Sequence, residues 1–421
     1  MQRYLSIYRS NPFLKNNLVF FLGSVAVGAL NYLYYPVIGR LMSPSAFGEV
    51  QTLISVFLQL TIFLGVLSLV AVNLIANDKN DRAQRIVTEL QLASLWLSVG
   101  TLVITILAAT WLQSAFRFES VWPFILLTVA LIAAVPFTFQ TAYLRGRERF
   151  GATSLANLLV AGGKIIFSVG LVLAGFGTSG AIGGLIAAQL VGLAYAFSQA
   201  QKGRMKQTAQ ALSVRWWPDI RVVAGEIKYV GYALVGSLGV MLLLSLDVIV
   251  VKYFFDAHTA GLYAGVATVA RIIFFLTASI AQVLLPAVKI GNSVRENHGL
   301  LVKSALILIG LSVPVLMLCI AAPSFVMNAL MGSEYDQFSE LLPLLSLAIF
   351  FISILNLLIL YCLALRRYTP ALLTMAGTLV TYGVMLFYHT TLHDIVAILL
   401  CGSMVIACSV TGWLIFKRQG V

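Results

Sequence analysis

Apolar residues along this chain come in long unbroken runs separated by short polar turns, with no alternation of apolar and polar positions inside the runs. A helix needs about 20 such residues to cross a hydrocarbon core of about 30 Å. Runs of that length lie near residues 18–40, 49–76, 87–112, 121–144, 152–174 and 179–200. A second series lies near 229–252, 261–289, 299–322, 341–365, 369–388 and 394–416. The pattern predicts about twelve transmembrane helices. Spanning strands would alternate, and only helices or closed barrels satisfy the backbone in lipid. The expected fold class is an all-α polytopic membrane protein. The first run exceeds the apolar core of a signal peptide and precedes no small-residue cleavage site, so it is read as the first span.

Composition agrees with this reading. Hydrophobic residues make up 60% of the chain and charged residues 10%, with a mean hydropathy of +0.96, which a soluble domain with a polar exterior could not sustain. The net charge of +12 would point to nucleic acid in a soluble chain. Here it follows the turns. One alternate set carries basic clusters such as Lys79, Arg82 and Arg85, then Arg145, Arg147 and Arg149, then Arg366 and Arg367. The other set carries Arg40, Arg117 and Lys252 and holds the acidic turn with Glu334, Asp336 and Glu340. Basic residues concentrate on the cytoplasmic side, so the expectation is a cytoplasmic (inner) membrane protein with both termini inside. No nucleic-acid partner is implied. Cys319, Cys362, Cys401 and Cys408 all fall in apolar runs without CxxC spacing, which leaves neither a disulfide framework nor a metal site.

Two echoes divide the chain. Arg40-Leu-Met-Ser-Pro-Ser-Ala-Phe-Gly48 follows the first span and Lys252-Tyr-Phe-Phe-Asp-Ala-His-Thr-Ala-Gly261 follows the seventh; Leu144-Arg-Gly-Arg-Glu-Arg-Phe150 and Leu365-Arg-Arg-Tyr368 match at a similar offset. The expectation is two pseudo-symmetric six-helix bundles, residues 1–200 and 229–421, around a central cavity, joined by a basic cytoplasmic linker, residues 201–228. In that linker Trp216 and Trp217 beside Arg215 read either as an interfacial anchor on anionic lipid or as a plain tether.

Candidate chemistry is concentrated in two cations. Lys164 and Arg271 each sit near the middle of a predicted span. A cation at a helix centre costs roughly 2.5 to 3.5 kcal/mol on insertion scales, so such residues normally face a cavity or a partner. The two come from opposite halves at similar depth. If their spans face a shared cavity, both can address one anion, Arg271 as a bidentate fork and Lys164 as a point charge, with Arg40 near the outer mouth. The alternative for Arg271 is a buried ion pair with Asp247. Asp247 itself reads as structural, interhelical or ion-coupling. Asn31, Gln59 and Gln282 are polar mid-span residues that either line the same path or hydrogen-bond between helices. No phosphate loop, catalytic triad or metalloprotease motif is present, so neither a catalytic constellation nor a cofactor or metal is expected.

The segment Tyr34-Tyr-Pro-Val-Ile-Gly-Arg40-Leu-Met-Ser-Pro-Ser-Ala-Phe-Gly48, with Asp247-Val-Ile-Val-Val-Lys-Tyr and Gly261-Leu-Tyr-Ala-Gly265, resembles the polysaccharide transporter family, the O-antigen and oligosaccharide flippase branch of the multidrug/oligosaccharidyl-lipid/polysaccharide exporter superfamily. The resemblance extends over essentially the whole chain. It implies alternating access by two six-helix bundles and movement of a polyprenyl-pyrophosphate-linked oligosaccharide from the inner to the outer leaflet for surface polysaccharide biosynthesis. The partners it implies are the lipid-linked oligosaccharide, membrane lipids, and an envelope glycan polymerase or glycosyltransferases. The family's basic residue closing the first span falls on Arg40, and its cationic lumen on Lys164 and Arg271. Three alternatives stand beside it. A drug/cation antiporter of the same superfamily would depend on Asp247 and Glu49. A glycan-handling membrane enzyme would need an outer domain larger than the turn near 323–340. The third is a non-transporting membrane component.

Overall fold

The computed structural model describes residues 12–77, 81–204, 227–288 and 293–416, and among them every regular element is helical. The helices are α1 (Pro12–Leu41), α2 (Pro44–Asn77), α3 (Asp81–Phe116), α4 (Trp122–Gly146), α5 (Phe150–Leu171), α6 (Gly177–Arg204) and α7 (Ile227–Phe254). They continue with α8 (Ala257–Ala270), α9 (Ile272–Ala287), α10 (Val294–Ala321), α11 (Pro323–Leu330), α12 (Leu342–Ala364), α13 (Thr369–Phe387) and α14 (Leu392–Phe416). Side chains such as Leu107, Phe387 and Phe416 are at least 80% exposed on helix surfaces, where only lipid would make that exposure favourable.

Ten runs among the described residues are long and apolar enough to cross a membrane. One of these, Phe150–Gln201, is 52 residues and holds two crossings. Between them a π-turn, Val172–Phe176, ends on Gly175 at φ +90° and Gly177 at φ +48°, left-handed values that suit glycine, and the chain folds back. Ser168 Oγ then donates to the Ala181 carbonyl at 2.8 Å, and a Cβ on Gly184 would lie 2.3 Å from the Ser168 nitrogen. Counted as two, and joined by the 30-residue α1, these runs make the twelve-helix layout that the periodicity predicts.

The described residues group into two compact units. One comprises those within Met1–Tyr34, Phe63–Thr110 and Val121–Gly225; the other comprises those within Tyr35–Ile62, Trp111–Ser120 and Glu226–Val421. The grouping is therefore not a simple cut at mid-chain. Trp216 and Trp217, and most of the predicted linker, lie outside the described residues, as does the side chain of Gln282.

In the second unit, the two echoing turns meet at their glycines. A Cβ on Gly48 would sit 2.8 Å from the Gly261 Cα, and one on Gly261 would sit 1.8 Å from the Pro44 carbonyl oxygen. Glycine at both positions lets α2 and α8 approach at backbone distance. The three cations of the sparse side fasten the same unit. Arg40 donates to the carbonyls of Asn328, Ala329 and Leu330 at the end of α11, with 3.1 Å to Leu330. Arg117 donates to the Phe255 carbonyl at 2.9 Å, and the Lys252 ammonium lies 5.2 Å from the Phe118 ring centroid. A guanidinium on the last carbonyls of a helix satisfies orphan acceptors and the helix dipole together.

Candidate functional site

Each unit holds one of the two mid-span cations. In the first, α5 carries Lys164, which is 7% exposed. Its Nζ donates to Asn31 Oδ1 on α1 at 2.9 Å and lies 4.2 Å from the centroid of the Tyr34 ring. Tyr34 is itself oriented, its hydroxyl donating to the Ala181 carbonyl at 3.5 Å. An amide oxygen and an aromatic face are both suited to an ammonium away from water. Asn31 and Lys164, separate in the sequence reading, thus belong to one cluster, and Tyr34 joins them.

The second unit brings Arg271 and Asp247 together. Arg271 stands between α8 and α9, where ψ flattens to −8° while hydrogen bonds from Arg271 N to the Ala267 carbonyl and from Phe275 N to the Arg271 carbonyl, 3.1 Å each, carry the span across. The Arg271 Nη2 donates to Asp247 Oδ1 at 2.7 Å, and the Tyr263 hydroxyl donates to Asp247 Oδ2 at 2.9 Å. Arg271 is 6% exposed and Asp247 is fully buried. The ion pair that the sequence left as one option is thus formed. It leaves the Arg271 Nε buried and without a hydrogen bond among the described residues.

Arg271 lines a narrow, water-sized cavity. Its walls include Tyr35, Gln51, Ser55, Ser245, Thr268 and Phe275. The polar groups are ordered by one another: Gln51 donates to Thr268 Oγ1, and Gln59 Nε2 donates to Ser245 Oγ at 3.2 Å. Tyr35 and Phe275 stack with centroids 6.2 Å apart. Gln59 therefore supports the wall through Ser245. Arg40 is committed within the second unit to the α11 carbonyls, so its side chain is engaged as a helix cap.

Tyr263, Tyr34, Gln51, Ser245 and Thr268 did not emerge as site residues from the sequence. Two of them had a signal: Tyr34 opens the first family-like segment and Tyr263 sits in Gly261-Leu-Tyr-Ala-Gly265. Glu49, named for the antiporter alternative, accepts the backbone N–H of Glu119 at 3.0 Å and is 5% exposed. Among the described residues no group of three or more His, Cys, Asp or Glu could hold a metal ion.

The fold is shared with solved membrane proteins. A multidrug resistance MATE family transporter of the MOP superfamily, in its inward-facing conformation, superposes with a TM-score of 0.70 at 17% identity, covering 95% of this chain and 98% of that one. The lipid II flippase MurJ in an inward closed conformation gives 0.72 at 12% identity, covering 96% and 87%. A MOP superfamily transporter from Pyrococcus furiosus, described as having a binding pocket of reversed polarity, gives 0.62 at 17% identity, covering 96% of both chains. No curated protein matches in sequence. Residues 37–340, well over half of the chain, match the family described as polysaccharide biosynthesis protein, and the chain belongs to that family.

Proposed function

We propose that the protein is a flippase that moves a polyprenyl-pyrophosphate-linked oligosaccharide from the inner to the outer leaflet of the cytoplasmic membrane, feeding surface polysaccharide biosynthesis. Family membership and a fold shared with transporters and a flippase support a transporter over an enzyme. The observation that carries the anionic cargo is Arg271: a guanidinium deep in a span that lines a small cavity, is held through one nitrogen, and keeps its buried Nε N–H without a hydrogen bond among the described residues. Five donors in a planar fork suit phosphate oxygens better than any uncharged group. Lys164, the mid-span cation of the first unit, is a second candidate contact for an anionic cargo. The sugars and polyprenyl tail need no charged partner.

No bond is broken in this reading, and both termini lie in the cytoplasm. Moving a doubly anionic headgroup outward down the electrical gradient of an inside-negative potential of about 100 mV releases roughly 4 to 5 kcal/mol, at about 2.3 per charge. That is enough to bias flipping without ATP. The antiporter reading is less well supported, because Asp247, the acid it needs, already accepts from Arg271 and Tyr263. The test is translocation of a fluorescent lipid-linked oligosaccharide in proteoliposomes. Arg271→Ala and Lys164→Ala should each slow it, and an imposed inside-negative potential should accelerate it. Unchanged rates in both folded variants would overturn the assignment.

A further inference from the structure

Resting on the anion reading of Arg271, we propose that Asp247 is a positioning residue that stands in for the cargo's phosphate: it occupies one edge of the Arg271 guanidinium when no anion is bound and sets which anions can replace it.

The geometry is that of a deliberately partial pair. A carboxylate and a guanidinium commonly join through two parallel N–H···O bonds. Here Asp247 Oδ1 takes Arg271 Nη2 at 2.7 Å, while Oδ2 is turned to the Tyr263 hydroxyl at 2.9 Å. Tyr263 thus withholds the second oxygen from Arg271, and the Nε N–H stays buried and unmet. An unsatisfied donor on a charged group is costly in a site this closed, where Arg271 is 6% and Asp247 0% exposed. A fully satisfied pair would remove that cost. Arg271 is itself one of the residues lining the cavity, with Gln51, Ser245 and Thr268.

Exchange follows from charge. Removing Asp247 from Arg271 without replacement would leave a bare buried cation, so an uncharged ligand cannot take the place, while the displaced carboxylate keeps its hydrogen bond from the Tyr263 hydroxyl. An anion can. A diphosphate carries more charge and more acceptor oxygens to offer the guanidinium edge that Asp247 vacates, whereas a monophosphate compensates less fully. Asp247 therefore competes with every ligand and discriminates in favour of the more highly charged headgroup, and it re-pairs with Arg271 as the cargo leaves. Tyr263 tunes the competition by holding the carboxylate to a single bond.

The test uses the full-length protein in proteoliposomes, with polyprenyl pyrophosphate and polyprenyl monophosphate as binding probes and a fluorescent polyprenyl-pyrophosphate glycan for turnover. Asp247→Asn should bind the pyrophosphate about tenfold more tightly and turn over more slowly, so that KM and kcat fall together, and its preference over monophosphate should shrink. Tyr263→Phe frees Oδ2 to complete the pair with Arg271 and should act in the opposite direction, weakening binding severalfold. Asp247→Glu should return affinity toward wild type. Opposite signs cannot arise from general loss of stability, which makes the pair of variants informative even where one folds poorly. Weaker or unchanged binding in Asp247→Asn, or shifts of the same sign in both variants, would overturn the stand-in role. Arg271→Gln separates the two readings: undiminished pyrophosphate binding there overturns the anion site itself, whereas weakened binding there with no opposed shifts overturns only the role of Asp247.

Discussion

The cation of the first unit is held by an amide oxygen and a ring face, that of the second by a carboxylate and, through it, a phenol. Asn31 and Tyr34 stabilise the Lys164 ammonium without cancelling its charge. Asp247 cancels that of Arg271 while leaving one N–H unmet. The two mid-membrane cations thus differ in the partners that face them, an amide oxygen and an aromatic ring for Lys164 and a carboxylate for Arg271. Only pairing makes ligand binding an exchange of one anion for another.

The comparison breaks most readily at Arg271. Arg271→Ala strands Asp247 as an uncompensated buried carboxylate, so unfolding in detergent should show a loss of about 3–5 kcal/mol, along with slowed flipping. Lys164→Ala removes a donor whose named partners are neutral and should cost clearly less in the same assay. An equal loss in both would erase the distinction drawn between the clusters.

Gly261→Ala sharpens the contrast from the backbone side. A methyl group there would meet the Pro44 carbonyl oxygen, so α2 and α8 must separate, and Gln51 must shift from Thr268 beside Arg271. The expected destabilisation is about 1–3 kcal/mol, as for overpacked sites. Flipping should fall with it, and a crosslink between Cys substitutions flanking the contact would report the separation. Retention of wild-type melting would show that the approach is looser than the geometry requires.

For the first cluster, Asn31→Ala removes the acceptor of a charged hydrogen bond and should cost about 1.5–3 kcal/mol. Asn31→Asp should instead convert this cluster to the paired kind, preserving stability while weakening pyrophosphate-lipid binding. Tighter binding in that variant would contradict the comparison.

The smallest effect is expected at Asp256, which begins α8 and so supports Tyr263 and Arg271 from a distance. Its carboxylate accepts the backbone N–H groups of His258 and Thr259 at 3.0 Å each. Hydrogen bonding, first from the Thr259 side chain and then from these backbone groups, holds its pKa below the usual carboxylate value. A lowered folded-state pKa contributes stability in full above the unfolded value of about 3.9, and that contribution is lost as pH falls through the folded value. Asp256→Ala should lower stability by about 1 kcal/mol at neutral pH. The gap between variant and wild type should close in acid below about pH 3.9, which melting curves across that range would detect.

Much of the fold was legible because hydropathy and length are properties of a contiguous window. The runs near 152–174 and 179–200 became α5 and α6, and the break between them falls on the glycines that allow it. The echoing turns at Gly48 and Gly261 were visible as a repeat, but not that the two glycines touch. Arg40 was legible as a cation closing the first span. Its commitment to the α11 carbonyls was not, because those acceptors lie 288 to 290 residues away in the chain. Likewise Asp247 and Arg271 were noted as a possible pair, whereas Tyr263, which makes the pair single-sided, was not singled out.

By itself the sequence determined that the protein is a membrane-spanning helical chain with about twelve crossings, and that two cations lie too deep to be surface charges. These conclusions need only hydropathy and position along the chain. The tertiary structure decided what each cation does, because that depends on the rotation of each helix and on which helices adjoin it. Lys164 meets Asn31 across 133 residues and Arg271 meets Asp247 across 24, contacts set by packing and carried by no local pattern.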